Sequence, residues 1–368
     1  MNRMILSNLA HRPVRTTISV IAVAVEVVLI LLIVGLSLGM LNDSKTRQHG
    51  IGADVLVQPP GSSFLVGLTG APVSVKVADV LHGLPHVKTV APVIWQLTTT
   101  GGALEVIYGI DYPSYNTLIA GFHFLEGGPF RGPYDVIVDD VYACGKGKHV
   151  GSEVEVMNHT FRISGVVEHG QGARKFLPLS TLQELVGASG AASVFYVKAD
   201  GPQNAELVVQ EVHAYPGMQR YVVRSMQEYL SMMTPENVPG LASFITVVIG
   251  VCVGIGFIVL FQSMYTAVLE RTREIGILKA LGASQWYIVN VILRETFLLA
   301  ISGTAVGILA SLLAKAAILS RFPTLPLQIQ LPWIGYATAI AIVGALLGAL
   351  YPAVKAARKD VVDAIAYE

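Results

Sequence analysis

Both signs of charge crowd the start of the segment Glu270–Ser284, ERTREIGILKALGAS, which follows directly on an apolar run ending at Leu269. Glu270, Arg271, Arg273 and Glu274 supply the charges, and Ile275, Ile277, Leu278 and Leu281 give an apolar side at helical spacing. Gly282 stands where a helix C-cap glycine belongs. This is chemistry for recognition: a short helix that packs on one side and offers charges to a partner on the other. Groups for bond-making chemistry do not reach a recognisable spacing. A phosphate cradle needs G-x-x-x-x-G-K-[ST], and the nearest run, Gly145–His149 (GKGKH), lacks Ser or Thr after its lysine. No HExxH and no Cys/His pair at zinc spacing occurs, the 9 histidines are scattered, and no metal site is expected. Cys144 and Cys252 fall in segments of different character and imply no disulfide framework.

A charged helix of this kind needs a support, and the composition says what it is. Hydrophobic residues make up 53% of the 368 and charged residues 14%, against about 25% charged in ordinary soluble domains. Crossing about 30 Å of hydrocarbon takes roughly 20 apolar residues. Runs of that kind occur at Ile18–Met40, Phe244–Leu269, Phe297–Leu319 and Trp333–Tyr351. The first is longer than the core of a signal peptide, about 7–15 residues. Basic residues are retained on the cytoplasmic side. Arg3, Arg12 and Arg15 precede the first run, Arg271, Arg273 and Lys279 lie between the second and third, and Lys355, Arg358 and Lys359 follow the fourth. The expected protein is therefore multi-pass in a membrane with both termini cytoplasmic. A net charge of +0 argues against a nucleic-acid partner.

The expected fold class is membrane α-helical, four transmembrane helices, with an extracytoplasmic α+β domain inserted between helices 1 and 2. The boundaries read as an amphipathic N-terminal helix at 1–17, helices at 18–40, 244–269, 288–319 and 333–351, the insert at 41–241, the charged helix at 270–287, an external loop at 320–332 and a cytoplasmic tail at 352–368. Within the insert, Ala53–Gln58, Leu104–Ile110, Asp135–Val138, Glu153–Met157, Phe161–Val167 and Ser193–Lys198 read as strands. Val75–His82, Ser180–Val186, Ala205–His213 and Ser225–Met232 read as helices. Two small lobes are expected.

Inside the spans, glycines four apart share one helix face and let backbones approach. They occur as Gly35 with Gly39, Gly250 with Gly254, Gly303 with Gly307, and Gly344 with Gly348. Glu26 is the acidic residue deep in a span, about eight residues or roughly 12 Å from its inner end. Its charge requires a partner, a proton or a polar cavity. Gln262 and Arg294, at similar inner depth, are the candidate partners, and a structural hydrogen bond is weighed above a substrate or proton-coupling role.

Glu270–Ser284, with Ile275 and Gly276 at its centre, closely resembles the signature E-R-x-R-E-I-G-x-L-K-A-L-G-A-S of the FtsX/MacB-type (type VII) ABC transporter permeases. Weaker likenesses to that family's periplasmic core domain run through GIGADVLVQPP (Gly50–Pro60), YGID (Tyr108–Asp111), the turn at Gly151 and FRISGVVEHG (Phe161–Gly170). The tail YPAVKAARKDVVDAIAYE resembles the family's too, departing from it at Val361, Ile365 and Ala366. The resemblance implies a second lobe inserted in the core domain, here about Pro129–Asp200. It also implies a permease subunit of an ABC export or mechanotransmission system, itself without enzymatic activity. No cofactor is then bound by this chain; ATP and Mg sit on a partner ATPase subunit. Glu270, Arg271, Arg273, Glu274, Ile275, Gly276, Lys279, Leu281 and Gly282 are the expected coupling residues. Of these, Arg271, Arg273, Glu274 and Lys279 are expected to touch the ATPase, with Ile275, Leu278 and Leu281 seating the helix. The other implied partners are a second permease copy, as homodimer or heterodimer, a periplasmic adaptor or membrane-fusion protein, and membrane lipid. The alternative is a non-transporting regulator of a periplasmic cell-wall hydrolase.

Overall fold

The computed structural model of the chain describes residues 13–62, 70–100 and 103–359. The N-terminal helix expected over 1–17 lies, as far as residue 12, outside the described residues. So do residues 360–368 of the tail, with Val361, Ile365 and Ala366. The chain divides into two units. One takes the described parts of Met1–Gly39, Gly240–Arg321 and Leu325–Glu368, the other Met40–Pro239 with Phe322–Thr324.

The first unit is a helical bundle. Among the described residues, four helices are long and apolar enough to cross a membrane: α1 (Pro13–His49), α8 (Leu241–Glu270), α10 (Gln285–Arg321) and α11 (Leu331–Arg358). α1 and α10 run 37 residues each, about 55 Å at ~1.5 Å per residue, well beyond the apolar stretches that identify them. Large side chains of α1 (Val23, Val27, Ile30, Leu31, Val34) share one buried cluster with Ala337, Ala341 and Ala345 of α11 and with Cys252 and Leu260 of α8. That alternation of large against small lets the helices approach, since lipid gives them no hydrophobic reason to associate.

The glycine pairs divide. A Cβ at Gly303 would stand 2.6 Å from the Cβ of Val23, one at Gly307 2.9 Å from the carbonyl of Ala24, and one at Gly348 3.0 Å from that of Phe257. Gly344 meets only Val253, at an ordinary 3.6 Å. Gly35 and Gly39 make room for backbone, not for another helix: their added Cβ atoms would lie 3.1 Å from the Gln328 carbonyl and 1.7 Å from that of Pro326. Gly250 and Gly254 face nothing within 4 Å among the described residues.

The insert is built on one sheet. Its elements are β1 (Val55–Gln58), β2 (Val73–Ser74), α2 (Val77–His82), β3 (Val87–Thr100), β4 (Ala103–Ile110), α3 (Tyr112–Leu118), β5 (Phe124–Gly127), β6 (Asp135–Asp139), α4 (Asp140–Lys146), β7 (Glu153–Val156), β8 (His159–Val167), β9 (Lys175–Pro178), α5 (Leu179–Leu185), β10 (Ala191–Ala192), β11 (Val194–Ala199), α6 (Ala205–Ala214), β12 (Val222–Ser225) and α7 (Met226–Met232). Among the described residues the sheet has 10 strands in the order β12-β1-β11-β3-β4-β9-β6-β8-β5, with β7 also on β8, while β2 and β10 pair separately. The lobe expected over Pro129–Asp200 is corrected accordingly. β9 joins β4 in parallel, so the sheet continues across the supposed boundary, and β11 leaves that stretch to lie between β1 and β3.

Successive strand residues point to opposite faces, and this sorts the core. Trp95, Tyr108, Phe176 and Tyr196 gather on one face, whereas their neighbours Ile94, Ile107 and Leu177 gather on the other. Gln48, in the last turn of α1, enters the aromatic face. Its Nε2 donates to the Tyr108 hydroxyl at 2.6 Å and its Oε1 accepts from the Tyr196 hydroxyl at 2.9 Å. Burial pushes the Tyr196 hydroxyl well above its ordinary pKa. Beside this ring, Arg174 reaches Asp43 of α1 at 3.2 Å and Asp139 at 3.3 Å. Asp139 also caps α4 through the Tyr142 amide at 2.7 Å. Burial raises its carboxyl to about 6, with the Arg174 guanidinium pulling the other way.

Two outcomes follow. Gly39→Ala drives a methyl into the Pro326 carbonyl and should lower the thermal midpoint in detergent, at a cost of about 1–3 kcal/mol. Gly250→Ala, into open space, should cause no loss. In the insert, His86 pairs with Glu211 of α6, and that hydrogen bond raises the imidazole above its ordinary 6.5. A folded pKa above the unfolded one gives stability that is full below about pH 6.5 and lost as pH rises through the raised value. Hydrogen exchange of α6 amides in wild type, corrected for intrinsic rates, should quicken over that window, and in His86→Gln it should not.

Candidate functional site

The charged segment forms the helix α9 (Thr272–Ala280), between α8 and α10 in the chain. α8 stops at Glu270 because Arg271 leaves the helical region, at φ −107 and ψ 17. Helix ends strand carbonyls that need donors, and the Thr272 hydroxyl supplies one to Val268 at 3.2 Å and Leu269 at 2.9 Å. At the other end Gly282 adopts φ +93, a left-handed conformation that glycine alone takes without steric cost. The Ala283 amide then reaches the Leu278 carbonyl and the Gly282 amide that of Lys279, both at 3.0 Å. This is a Schellman closure, as the glycine's place in the sequence suggests.

Burial sorts the side chains of α9 differently from the sequence reading. Ile275 and Leu278 turn inward. Ile275 packs with Ile288, Val289, Ala353 and Ala356, and both line a cavity of about 60 Å³ beneath the helix. Thr272 and Gly276 are buried. Leu281, expected to seat the helix, is instead 80% exposed, because the closing turn swings it off the packed face. Ile277 is 48% and Trp286 82% exposed. Arg273 and Glu274 are exposed as well, so a patch of three large apolar side chains stands beside one cation and one anion.

The remaining charges are spent within the bundle. Lys279 Nζ donates to the carbonyls of Ala357 at 3.0 Å and Lys359 at 2.5 Å, at the C-terminal end of α11. A cation there also answers the negative end of the helix dipole. Arg271 Nη1 donates to Glu295 Oε2 at 3.0 Å, and Arg15 Nη2 donates to Glu295 Oε1 at the same distance. Arg15 also faces Glu270 at 3.8 Å. The Glu295 side chain is 4% exposed and both arginines under 15%. One turn further along, Ser19 and Ser263 share a hydrogen bond of 2.6 Å between α1 and α8.

The sequence did not single out Glu295. It pointed to Arg294, which is exposed; the next residue, about 100° round the helix, is the one that faces inward. The available signal was an acid just before an apolar run, in a region otherwise rich in cations. Glu26 also needs correction. It is 4% exposed and lies against Gly256, where a Cβ would come 2.0 Å from its Oε2. Gln262 and Arg294 are exposed and neither pairs with it, and its Oε1 has no hydrogen-bond partner among the described residues. Gly256 was missed because it belongs to no four-residue glycine pair of the spans singled out.

Comparison with known proteins matches the chain in two successive stretches. The model described as MacB-like periplasmic core domain matches residues 16–215, and that described as FtsX-like permease C-terminal matches residues 246–361. The macrolide export ATP-binding/permease protein MacB of Rhodopirellula baltica is 24% identical over 432 residues, covering 100% of this chain and 62% of the relative. The uncharacterized ABC transporter permease YknZ of Bacillus subtilis is 28% identical over 230 residues, 59% of this chain and 55% of the relative. The chain thus spans less than two thirds of the length of these curated relatives. The crystal structure of the periplasmic region of MacB from Actinobacillus actinomycetemcomitans aligns with a TM-score of 0.39 at 16% identity, over 52% of this chain and 97% of that one.

Lys279→Met keeps the apolar stem and removes the two bonds to the α11 carbonyls. Hydrogen bonds to a charged group contribute about 1.5–3 kcal/mol, so amide exchange across residues 272–280 should accelerate by more than tenfold. Unchanged exchange would show that the fastening carries nothing.

Proposed function

The chain belongs to the FtsX/MacB-type family of ABC transporter permeases, and from that premise we propose that α9 is the surface on which a separate ATPase subunit docks and pushes. The patch of Ile277, Leu281 and Trp286, flanked by Arg273 and Glu274, carries this reading. An exposed apolar patch rimmed by polar residues marks a protein or membrane interaction site. A central apolar anchor rimmed by charge is the make-up of a binding hot spot. The inward charges, Arg271 and Lys279, have the complementary role of fastening the pushed helix to its own bundle.

In this reading the protein lies in a bacterial inner membrane with α9 and both termini cytoplasmic and the insert in the periplasm. It works as a dimer of permeases, with ATP and Mg held and hydrolysed by the partner subunits. The spans offer few polar side chains for a solute path, and Glu26 is closed in against Gly256. Work is therefore delivered by movement of the inserts and not through a tunnel, in export of a substrate that the inserts or an adaptor engage. The hydrolase-regulator alternative gains no observation of its own.

Binding to the cognate ATPase tests the docking surface. Leu281→Asp and Trp286→Asp should each weaken association by about 2 kcal/mol or more, read by co-purification and by titration in nanodiscs. Arg273→Ala with Glu274→Ala should leave the bundle folded and uncouple ATP hydrolysis from export. Full binding by both aspartate variants would remove α9 as the dock.

A further inference from the structure

An impulse received at α9 reaches α8 through the chain, since only Arg271 separates them. It has no such route to α1. Yet α1 and α8 are the two stems of the insert: the chain enters the insert from α1 at Met40 and leaves it into α8 at Gly240. A push that moved one stem alone would shear the pair. A contact near α9 that binds α1 to it would carry the push to both stems at its source.

Glu295 is placed to do this. Each of its oxygens is taken by a different guanidinium at 3.0 Å, Oε1 by Arg15 near the start of α1 and Oε2 by Arg271 at the threshold of α9. Arg15 closes the figure on Glu270 at 3.8 Å. The carboxylate thus sits on a third helix, α10, and is the shared acceptor through which the two arginines are held together. Like charges so close would otherwise repel, and within a buried site that repulsion is weakly screened. Arg273 and Arg294, nearby in sequence, are exposed and take no part in this cluster. The Ser19–Ser263 bond at 2.6 Å lies one turn further on and links α1 only to α8.

We propose that Glu295 is the positioning residue that makes α1 move with α9, so that both stems of the insert respond together to a push at one helix. The proposal deepens the docking reading above and rests on it, but its geometry can be measured without any ATPase. In a chain carrying Cys144→Ser and Cys252→Ser, spin labels at Val14→Cys and Ala280→Cys, both exposed positions, report the distance between α1 and α9. Dilution with unlabelled chain removes distances between copies. Val251→Cys with Val343→Cys, exposed on α8 and α11, is a control pair that Glu295 does not bridge.

With Glu295 intact, both pairs should give one narrow distance. Glu295→Gln keeps shape and one acceptor but removes the charge; the first pair should lose its narrow distance while the control keeps its own. A merely structural role would broaden both pairs or neither, and either result overturns the proposal. Should Glu295→Gln not fold, Arg15→Gln is read in the same way, with the same two outcomes. With the ATPase added, Glu295→Gln should retain binding and turnover, while the Val14–Ala280 distance, which nucleotide leaves unchanged in wild type because the two helices move together, becomes nucleotide-dependent. Absent ATPase binding in wild type would instead sink the docking reading and leave the distance result standing.

Discussion

A carboxylate almost sealed from solvent, held between two guanidiniums, fixes how the rest of the bundle can behave. An ion pair taken out of water gives little net stability, because the desolvation of both partners offsets the attraction. Removing one partner is another matter: it leaves a buried charge unanswered, at about 3–5 kcal/mol. Glu295, Arg15 and Arg271 therefore constrain geometry more than they add stability. Their arrangement brings α1, the α8–α9 junction and α10 to one point. Lys279 adds α11 from the opposite end of α9. All four long helices are tied to one nine-residue helix.

The spans are suited to being moved as a body. α11 presents alanine and glycine at nearly every turn of its buried face, from Ala337 through Ala341, Gly344 and Gly348 to Ala353. Gly303 and Gly307 admit Val23 and the backbone of Ala24 from α1. Close contact of this kind leaves side chains few alternative rotamers, and packed interiors transmit displacement instead of absorbing it. Glu26 is housed by the same device, in the space that Gly256 leaves on α8.

How far the sequence announces this differs by element. Apolar length is enough for all four membrane helices, since the bilayer sets one scale for them. It understates α1 and α10, whose polar ends stay helical because tertiary contacts hold them: Asp43 on Arg174 and Gln48 between two tyrosines for α1, Glu295 for α10. β3 escaped the reading although it is the longest strand and central to the sheet. Pro92 interrupts it, and proline in an inner strand argues against the assignment because it cannot donate to the ladder. α3 and α4, 7 residues each, also went unread, although α5 and α7 are of the same length and their spacing did show. The signature at Glu270–Ser284 marks the functional region well, yet charge alone does not tell a residue facing a partner from one facing its own bundle. Arg271 and Lys279 belong to the second kind and Arg273 and Glu274 to the first, and only the break at Arg271 and the turn at Gly282 separate them.

That turn has a kinetic meaning. With Gly282 closing the helix and its amide and that of Ala283 already bonded, the backbone beneath Leu281 is set before any partner arrives. Little ordering remains to be done on contact, and ordering is a large part of what association costs. A surface prepared in this way meets its partner nearly as a rigid body. Differences between partners that fit it well and badly would then appear in how long they stay and not in how fast they arrive.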